Sequence, residues 1–412
     1  MNTFEVHAGW LKEPKRIGNC YIEKARGKEI ISFSYDESWL AANPDVILDP
    51  DITAMAGRQY PPSDKVCFGF LCDSAPDRWG RILLNRREAI DAKEAVRPRR
   101  TLMESDYILG VNDPGRIGAL RFYDAESGVF LSDRSTMAAP PIEKLRELED
   151  AALKIDEGDE EGSKWVKNLI DPGSSLGGAR PKANVVDEKG NLWIAKFPSK
   201  KDEADIGAWE MTAHELAVRC GIKVPDAMIM KLSSYGSTFL SKRFDRDGDN
   251  RIHFASAMTM LGQTDDCDED ISYVDIAGVI EEVCVHPTDD LRELWKRMVF
   301  NILISNTDDH LRNHGFLLSG SGWELSPGYD INPSIDKNEL SLSILNSHAR
   351  DVSEAIDAAA FFRLSKDEAR SIINDMQKII SKNWRREAAR FGISRPEQER
   401  MAGAFQEGDR DE

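Results

Sequence analysis

Asp308 and Asn313 stand five residues apart in Asn306-Thr307-Asp308-Asp309-His310-Leu311-Arg312-Asn313, and Asp330 follows in Gly328-Tyr329-Asp330-Ile331. Two carboxylates and one carboxamide make a hard oxygen set. Such a set suits Mg²⁺ shared with phosphate oxygens, whereas a Cys/His cluster would have pointed to zinc. His310 and His314 are four apart, but no third ligand stands at a zinc-like spacing, so they read as structural or solvent-facing. Asp and Asn also stabilise turns through their own side chains, so a plain polar loop competes with the metal reading for this segment taken alone.

The Asp-x4-Asn spacing is that of a protein-kinase catalytic loop, where Asp accepts the proton of the acceptor hydroxyl and Asn holds a metal ion. Asp308 fits that spacing; Asp309 breaks it. Upstream lies the glycine-rich run Gly173-Ser174-Ser175-Leu176-Gly177-Gly178-Ala179-Arg180-Pro181-Lys182. Glycines let backbone amides crowd around phosphate oxygens, and the two serines add hydroxyls. No Lys-Ser or Lys-Thr follows Gly178, so this is not a Walker A loop; kinases place the phosphate lysine on a nearby strand, where Lys196 fits. A helix over Ile206–Cys220, ended by Gly221, offers Glu210 and Glu215 as partners for that lysine, and Glu210 is the choice. Leu240, Lys242 and Phe244, on a strand after a Ser/Gly turn, suit an adenine-binding hinge. Ordinary strand burial explains the apolar ones equally well.

These groups need elements to hold them. Leu291–Ser305 reads as an amphipathic helix feeding the polar loop, and Phe316–Leu318 with Trp323–Leu325 reads as a hairpin leading to Asp330. Ile30–Tyr35 and Gly118–Tyr123 read as strands, and residues 76 to 90 as a helix with Pro76 early and Trp79, Ile82, Leu83 and Ile90 facing the core. Ser365–Glu368 is a capping box opening a helix whose stripe is Ile372, Ile373, Met376, Ile379, Ile380 and Trp384. The expected fold is α+β, bilobal, with residues 1–135 as an N-terminal subdomain, 136–245 as a nucleotide-binding lobe and 246–412 as a mainly helical lobe.

A chain of 412 residues exceeds one ordinary core. Its net charge of −18 disfavours extended contact with a phosphate backbone. Its longest apolar runs fall short of a bilayer span. The first residues lack the pattern of a secretory signal, so a cytoplasmic location is expected. The six cysteines are scattered and read as free thiols. The acidic stretch Asp156–Glu161 reads as a solvated connector.

Ser175–Lys182, Lys242-Arg243-Phe244-Asp245-Arg246, Asn306–Asn313 and Tyr329-Asp330 together resemble the motifs of HipA-type kinases, and Phe33–Asp36 with Asp73–Arg81 resembles that family's N-terminal subdomain. The resemblance covers nearly the whole chain. It implies a Ser/Thr protein kinase that is the toxin of a type II toxin–antitoxin system, using ATP and Mg²⁺. Under it Asp308 is the catalytic base, Asn313 and Asp330 bind the metal, and Ser175 is autophosphorylated, with Ser174 adjacent. Gly173, Ser174, Ser175, Gly177, Gly178, Lys182, Lys196, Glu210, Leu240, Lys242, Phe244 and Asp330 then form the nucleotide site. The implied partners are a small helix-turn-helix antitoxin that contacts DNA, and a protein substrate such as an aminoacyl-tRNA synthetase. The alternatives are a catalytically silent, kinase-shaped co-repressor and a small-molecule kinase.

Overall fold

The computed structural model describes residues 3–25, 27–133, 139–157, 178, 180–265, 270–320 and 322–405. By contact it divides into two compact units, Met1–Ala195 with Arg243–Asp265 and Lys196–Lys242 with Asp266–Glu412. This grouping differs from the division by catalytic role drawn above. Both units mix helix and strand, as the α+β reading expected. Among the described residues no helix is long and apolar enough to cross a membrane.

The first unit is built on an antiparallel sheet of six strands, ordered β4-β3-β2-β1-β5-β6. These are β1 (Thr3–Ala8), β2 (Lys15–Ala25), β3 (Lys28–Tyr35), β4 (Arg58–Gln59), β5 (Leu120–Asp124) and β6 (Val129–Phe130). Side chains alternate across a strand, so β1 turns Phe4, Val6 and Ala8 inward onto Phe33, Phe68, Phe70 and Phe122. Where β2 crosses β3, a Cβ on Gly18 would lie 2.1 Å from the Ser34 carbonyl oxygen, so only glycine fits.

Three expectations change here. Cys67 and Cys72 are bonded to each other, because the helical turn Gly69–Cys72 folds the second cysteine back toward the first; they are not free thiols. Cys20, Cys220 and Cys284 are free, while Cys267 lies outside the described residues. The helix expected from residue 76 runs Arg78–Glu94 and is capped by Asp77, whose carboxylate accepts from Gly80 N at 2.8 Å; Pro76 stands before the cap. Trp79 and Leu83 are buried on it, but Ile82 faces solvent.

Arg243, Asp245 and Arg246 form a buried charge cluster in this unit. Asp245 accepts from Arg243 Nε (2.8 Å), Arg246 Nη1 (2.7 Å) and Gly118 N (2.7 Å). Arg243 also donates to the Gly115 and Arg116 carbonyls. Its neighbour Phe244, expected at a nucleotide hinge, packs on Phe254.

His253 is fully buried and stacks on Trp10 with ring centroids 4.8 Å apart. Burial pushes its pKa down to about 3. The folded state therefore stays neutral at pH values where the unfolded chain, near 6.5, binds a proton, so stability is lost as pH falls below about 6.5. The expected slope is about 1.4 kcal/mol per pH unit until the folded pKa is reached. His253→Phe, which keeps the stack and cannot titrate, should flatten that slope in urea midpoints compared between pH 7.5 and 5. Parallel curves for the two proteins would refute the assignment.

The second unit is mainly helical. Its central helix, Pro287–Leu303, buries Leu291, Leu294, Trp295, Met298, Val299, Phe300, Ile302 and Leu303. At ~1.5–3 kcal/mol for each fully buried large apolar side chain, this element makes a firm base for the loop that follows it. The capping box at Ser365 opens the helix Lys366–Arg390 as expected, with Ile373, Met376, Ile380 and Trp384 inward. The helix Ile206–Arg219 packs on it and ends before Gly221, whose φ of +70° favours glycine. Two hairpins match the sequence reading: β7 (Ala227–Met230) with β8 (Thr238–Lys242), and Gly315–Ser319 with Gly322–Leu325.

Candidate functional site

The expected loop leaves the helix Pro287–Leu303 through Ser305, which adopts a left-handed φ of +56°. Asn306 N then bonds back to the Asn301 carbonyl (2.8 Å), and its side-chain amide donates to Asn301 Oδ1 (3.1 Å). After Asp309, the short turn Leu311–Asn313 presents Asn313, whose amide nitrogen donates to the Asp308 carbonyl at 3.1 Å. That bond leaves Asn313 Oδ1 buried and without a partner. A buried carboxamide oxygen left unpaired costs ~1–3 kcal/mol, and such groups concentrate at functional sites.

The segment after the hairpin comes back beside this loop. Tyr329 Oη donates to the Arg312 carbonyl (2.7 Å), Asn332 N to Asn306 Oδ1 (3.5 Å) and Ser334 N to the Ser305 carbonyl (3.0 Å). Asp330 sits between these ties at φ +58°, a conformation costing ~1–3 kcal/mol in a non-glycine residue and retained where its surroundings enforce it.

Lys196 Nζ bonds both Glu210 Oε1 (2.5 Å) and Asp330 Oδ1 (2.7 Å). Burial opposes the ammonium charge, but Asp330 and Glu210 outweigh it and raise the Lys196 pKa above its ordinary value. The lysine is held charged between a helix carboxylate and the loop aspartate. Glu210, 4 % exposed, takes the role for which Glu215 was the other candidate; Glu215 lies near Arg390 instead, at 3.5 Å.

Asp308 and Asp309 have opposite environments. The Asp308 side chain is 80 % exposed, with Lys337 Nζ at 3.6 Å. Asp309 is buried and accepts from the Tyr273 hydroxyl and from His314 Nε2 (2.8 Å). Burial alone would raise the Asp309 pKa; the His314 ring and the Tyr273 hydroxyl hold it below the ordinary carboxylate value. Asn301 in turn donates to Tyr273 Oη at 3.2 Å. Asp308 is thus presented to solvent, while Asp309 ties the loop to Tyr273 and His314.

Tyr273→Phe removes one bond from Asp309 and leaves the Asn301 amide short of an acceptor. Unfolding free energy should fall by ~1–3 kcal/mol. Any turnover that uses the loop should drop by on the order of tenfold through misplacement, with little change in substrate KM. Unchanged melting temperature and unchanged turnover would show that the network does not hold the loop.

Lys182 is buried in the first unit, donating to Asp77 Oδ2 (2.9 Å) and the Gly178 carbonyl (3.3 Å), while Trp79 Nε1 donates to the Lys182 carbonyl. Leu240 is buried within β8, and Lys242, at its end, is 3.8 Å from Asp226. Gly173, Ser174, Ser175 and Gly177 lie outside the described residues. Tyr273, Asn301 and Asn332 were missed, because they come from separate elements and share no spacing with the loop; Asn306 stands inside the motif but was given no role there.

A family model described as HipA-like C-terminal domain matches residues 174–384. Y4dM of Sinorhizobium fredii, named as a candidate kinase, is 27% identical over 154 residues, which is 34% of this chain and 37% of that protein. A Haemophilus influenzae protein, likewise named as a candidate kinase, is 25% identical over 190 residues, 40% of this chain and 54% of that protein. The matches thus span at most 54% of the length of either relative. HipA of Shewanella oneidensis MR-1, solved with HipB and its operator DNA, matches 98% of this chain and 95% of its own with a TM-score of 0.64 at 17% identity. That likeness is one of fold.

Proposed function

The chain belongs to the HipA-like C-terminal domain family, and from that premise we propose that it is an ATP-dependent Ser/Thr protein kinase acting as the toxin of a toxin–antitoxin pair. The observation that carries the reading is Lys196 held charged by Glu210 and Asp330 beside a loop that exposes Asp308 and leaves Asn313 Oδ1 without a partner. Lys196 would take the α- and β-phosphates of ATP, and Glu210 would fix its position. Asp308 would accept the proton of a substrate hydroxyl as that oxygen bonds the γ-phosphorus and ADP leaves. The oxygens of Asn313 and Asp330 fit Mg²⁺, whose contribution when bound is to offset charge on the phosphates. In a chain of net charge −18, such local cations are needed to hold a nucleotide.

Ser175 is the proposed site of self-modification: a phosphate of about −1.5 to −2 charge there would oppose ATP binding. The proposed partner is a small helix-turn-helix antitoxin that supplies the DNA contact, in line with the HipB and operator DNA of the Shewanella complex. The protein substrate, an aminoacyl-tRNA synthetase by family resemblance, and a cytoplasmic location complete the proposal.

The test incubates the purified chain with γ-labelled ATP, Mg²⁺ and a cell extract, and follows the label by mass spectrometry. Label on Ser or Thr of the chain or of an extract protein supports the reading. Label confined to a small molecule favours a small-molecule kinase, and absence of both transfer and ATP binding favours a silent co-repressor.

A further inference from the structure

Asp330 and Asn332 flank Ile331, whose side chain is buried, and both are themselves half-buried. Asn332 Nδ2 donates to Asp330 Oδ1 at 3.2 Å, and the Asn332 backbone is tied to Asn306 on the catalytic loop. Its other amide atom, Oδ1, is buried and has no hydrogen-bond partner. One other side-chain carboxamide oxygen in the chain shares that condition among the described residues, and it is Asn313 Oδ1. Two unpartnered carboxamide oxygens thus belong to the two segments that Tyr329, Asn332 and Ser334 stitch together.

We propose that Asn332 supplies a further oxygen ligand, beside Asn313 and Asp330, to the divalent cation of the site. The proposal rests on the kinase reading. Its chemistry is specific: a neutral carboxamide adds a hard donor without adding negative charge against the phosphates of the nucleotide. The bond from Asn332 Nδ2 to Asp330 orients both groups, because the nitrogen is spent on the carboxylate and the oxygen is left for a cation.

The experiment measures Mn²⁺ affinity of the full-length chain, saturated with a non-hydrolysable ATP analogue, by loss of the free Mn²⁺ electron paramagnetic resonance signal. Asn332→Leu should weaken Mn²⁺ by about tenfold or more, and Asn332→Asp, which retains an oxygen, should restore most of that loss. Asn332→Cys should shift preference from Mn²⁺ toward Cd²⁺, since a thiolate favours the softer ion. A purely structural asparagine would not produce that exchange. Wild-type affinity in Asn332→Leu, with binding lost in Asp330→Ala, overturns the proposal and leaves the kinase reading standing. Weakening in Asn332→Leu with no Cd²⁺ preference in Asn332→Cys also overturns it, because Asn332 then acts only through Asp330. If neither Asp330→Ala nor Asn313→Ala alters Mn²⁺ binding, the metal assignment of the kinase reading fails and the proposal falls with it. Should circular dichroism show Asn332→Leu unfolded, Asn332→Ala carries the same two outcomes.

Discussion

Asp308→Asn is expected to leave the fold and ATP affinity in place while phosphoryl transfer falls by about 10²- to 10⁴-fold, the range for removing a positioned general base. The separation of effects follows from exposure. The Asp308 carboxylate is 80 % exposed, and Lys337, itself 61 % exposed, is 3.6 Å away. Surface charges of this kind contribute little to stability, so the melting temperature should stay close to that of the wild type. The neighbouring Asp309→Asn should behave differently, because a buried carboxylate bonded to Tyr273 and His314 is being altered. Steady-state kinetics and thermal melts on both variants decide the matter. If Asp309→Asn stops transfer without loss of stability while Asp308→Asn transfers normally, the two aspartates have been assigned the wrong way round.

Asp245→Ala is expected to be the most destabilising single change considered, at ~3–5 kcal/mol, since it strands buried Arg243 and Arg246 without their anion. Burial alone would raise the Asp245 pKa, but Arg243 and Arg246 outweigh it and hold it at about 2. A carboxylate depressed in this way contributes stability above its unfolded value near 3.9 and loses it as pH falls toward about 2. Urea unfolding at pH 7 should show the full loss, and the gap between wild type and variant should narrow in acid. A difference below ~1 kcal/mol at pH 7 would mean the arginines find other partners. The Lys242–Arg246 motif, which carried part of the family resemblance, thus includes a structural cluster at Arg243, Asp245 and Arg246.

The parts legible in the sequence were those governed by local rules. The Ser365 capping box, the Thr238–Lys242 strand and the hairpin after Gly315 rest on periodicity and caps within a few residues of one another. The Asp308–Asn313 turn was legible because its spacing is local as well. Pairing across distance was not. Lys182 was placed at the nucleotide site by the resemblance, and no spacing records that its ammonium lies 2.9 Å from Asp77, more than 100 positions away. Tyr273, Asp309 and His314 meet because a helix beginning at residue 273 packs on the helix that feeds the loop, which no spacing in the sequence records. The Cys67–Cys72 bond escaped because a five-residue separation admits either outcome until the turn at Gly69–Cys72 is known.

The most direct measurement of the central claim is the intact mass of the purified chain before and after incubation with ATP and Mg²⁺, with ADP followed in the same sample and the antitoxin absent. The account predicts ADP formation matched by one phosphoryl group carried on the chain, on the serine pair at 174–175, and neither in Asp308→Asn. Wild-type chain that binds ATP yet forms no ADP with any added protein, or an Asp308→Asn variant that modifies itself as fast as the wild type, would contradict it.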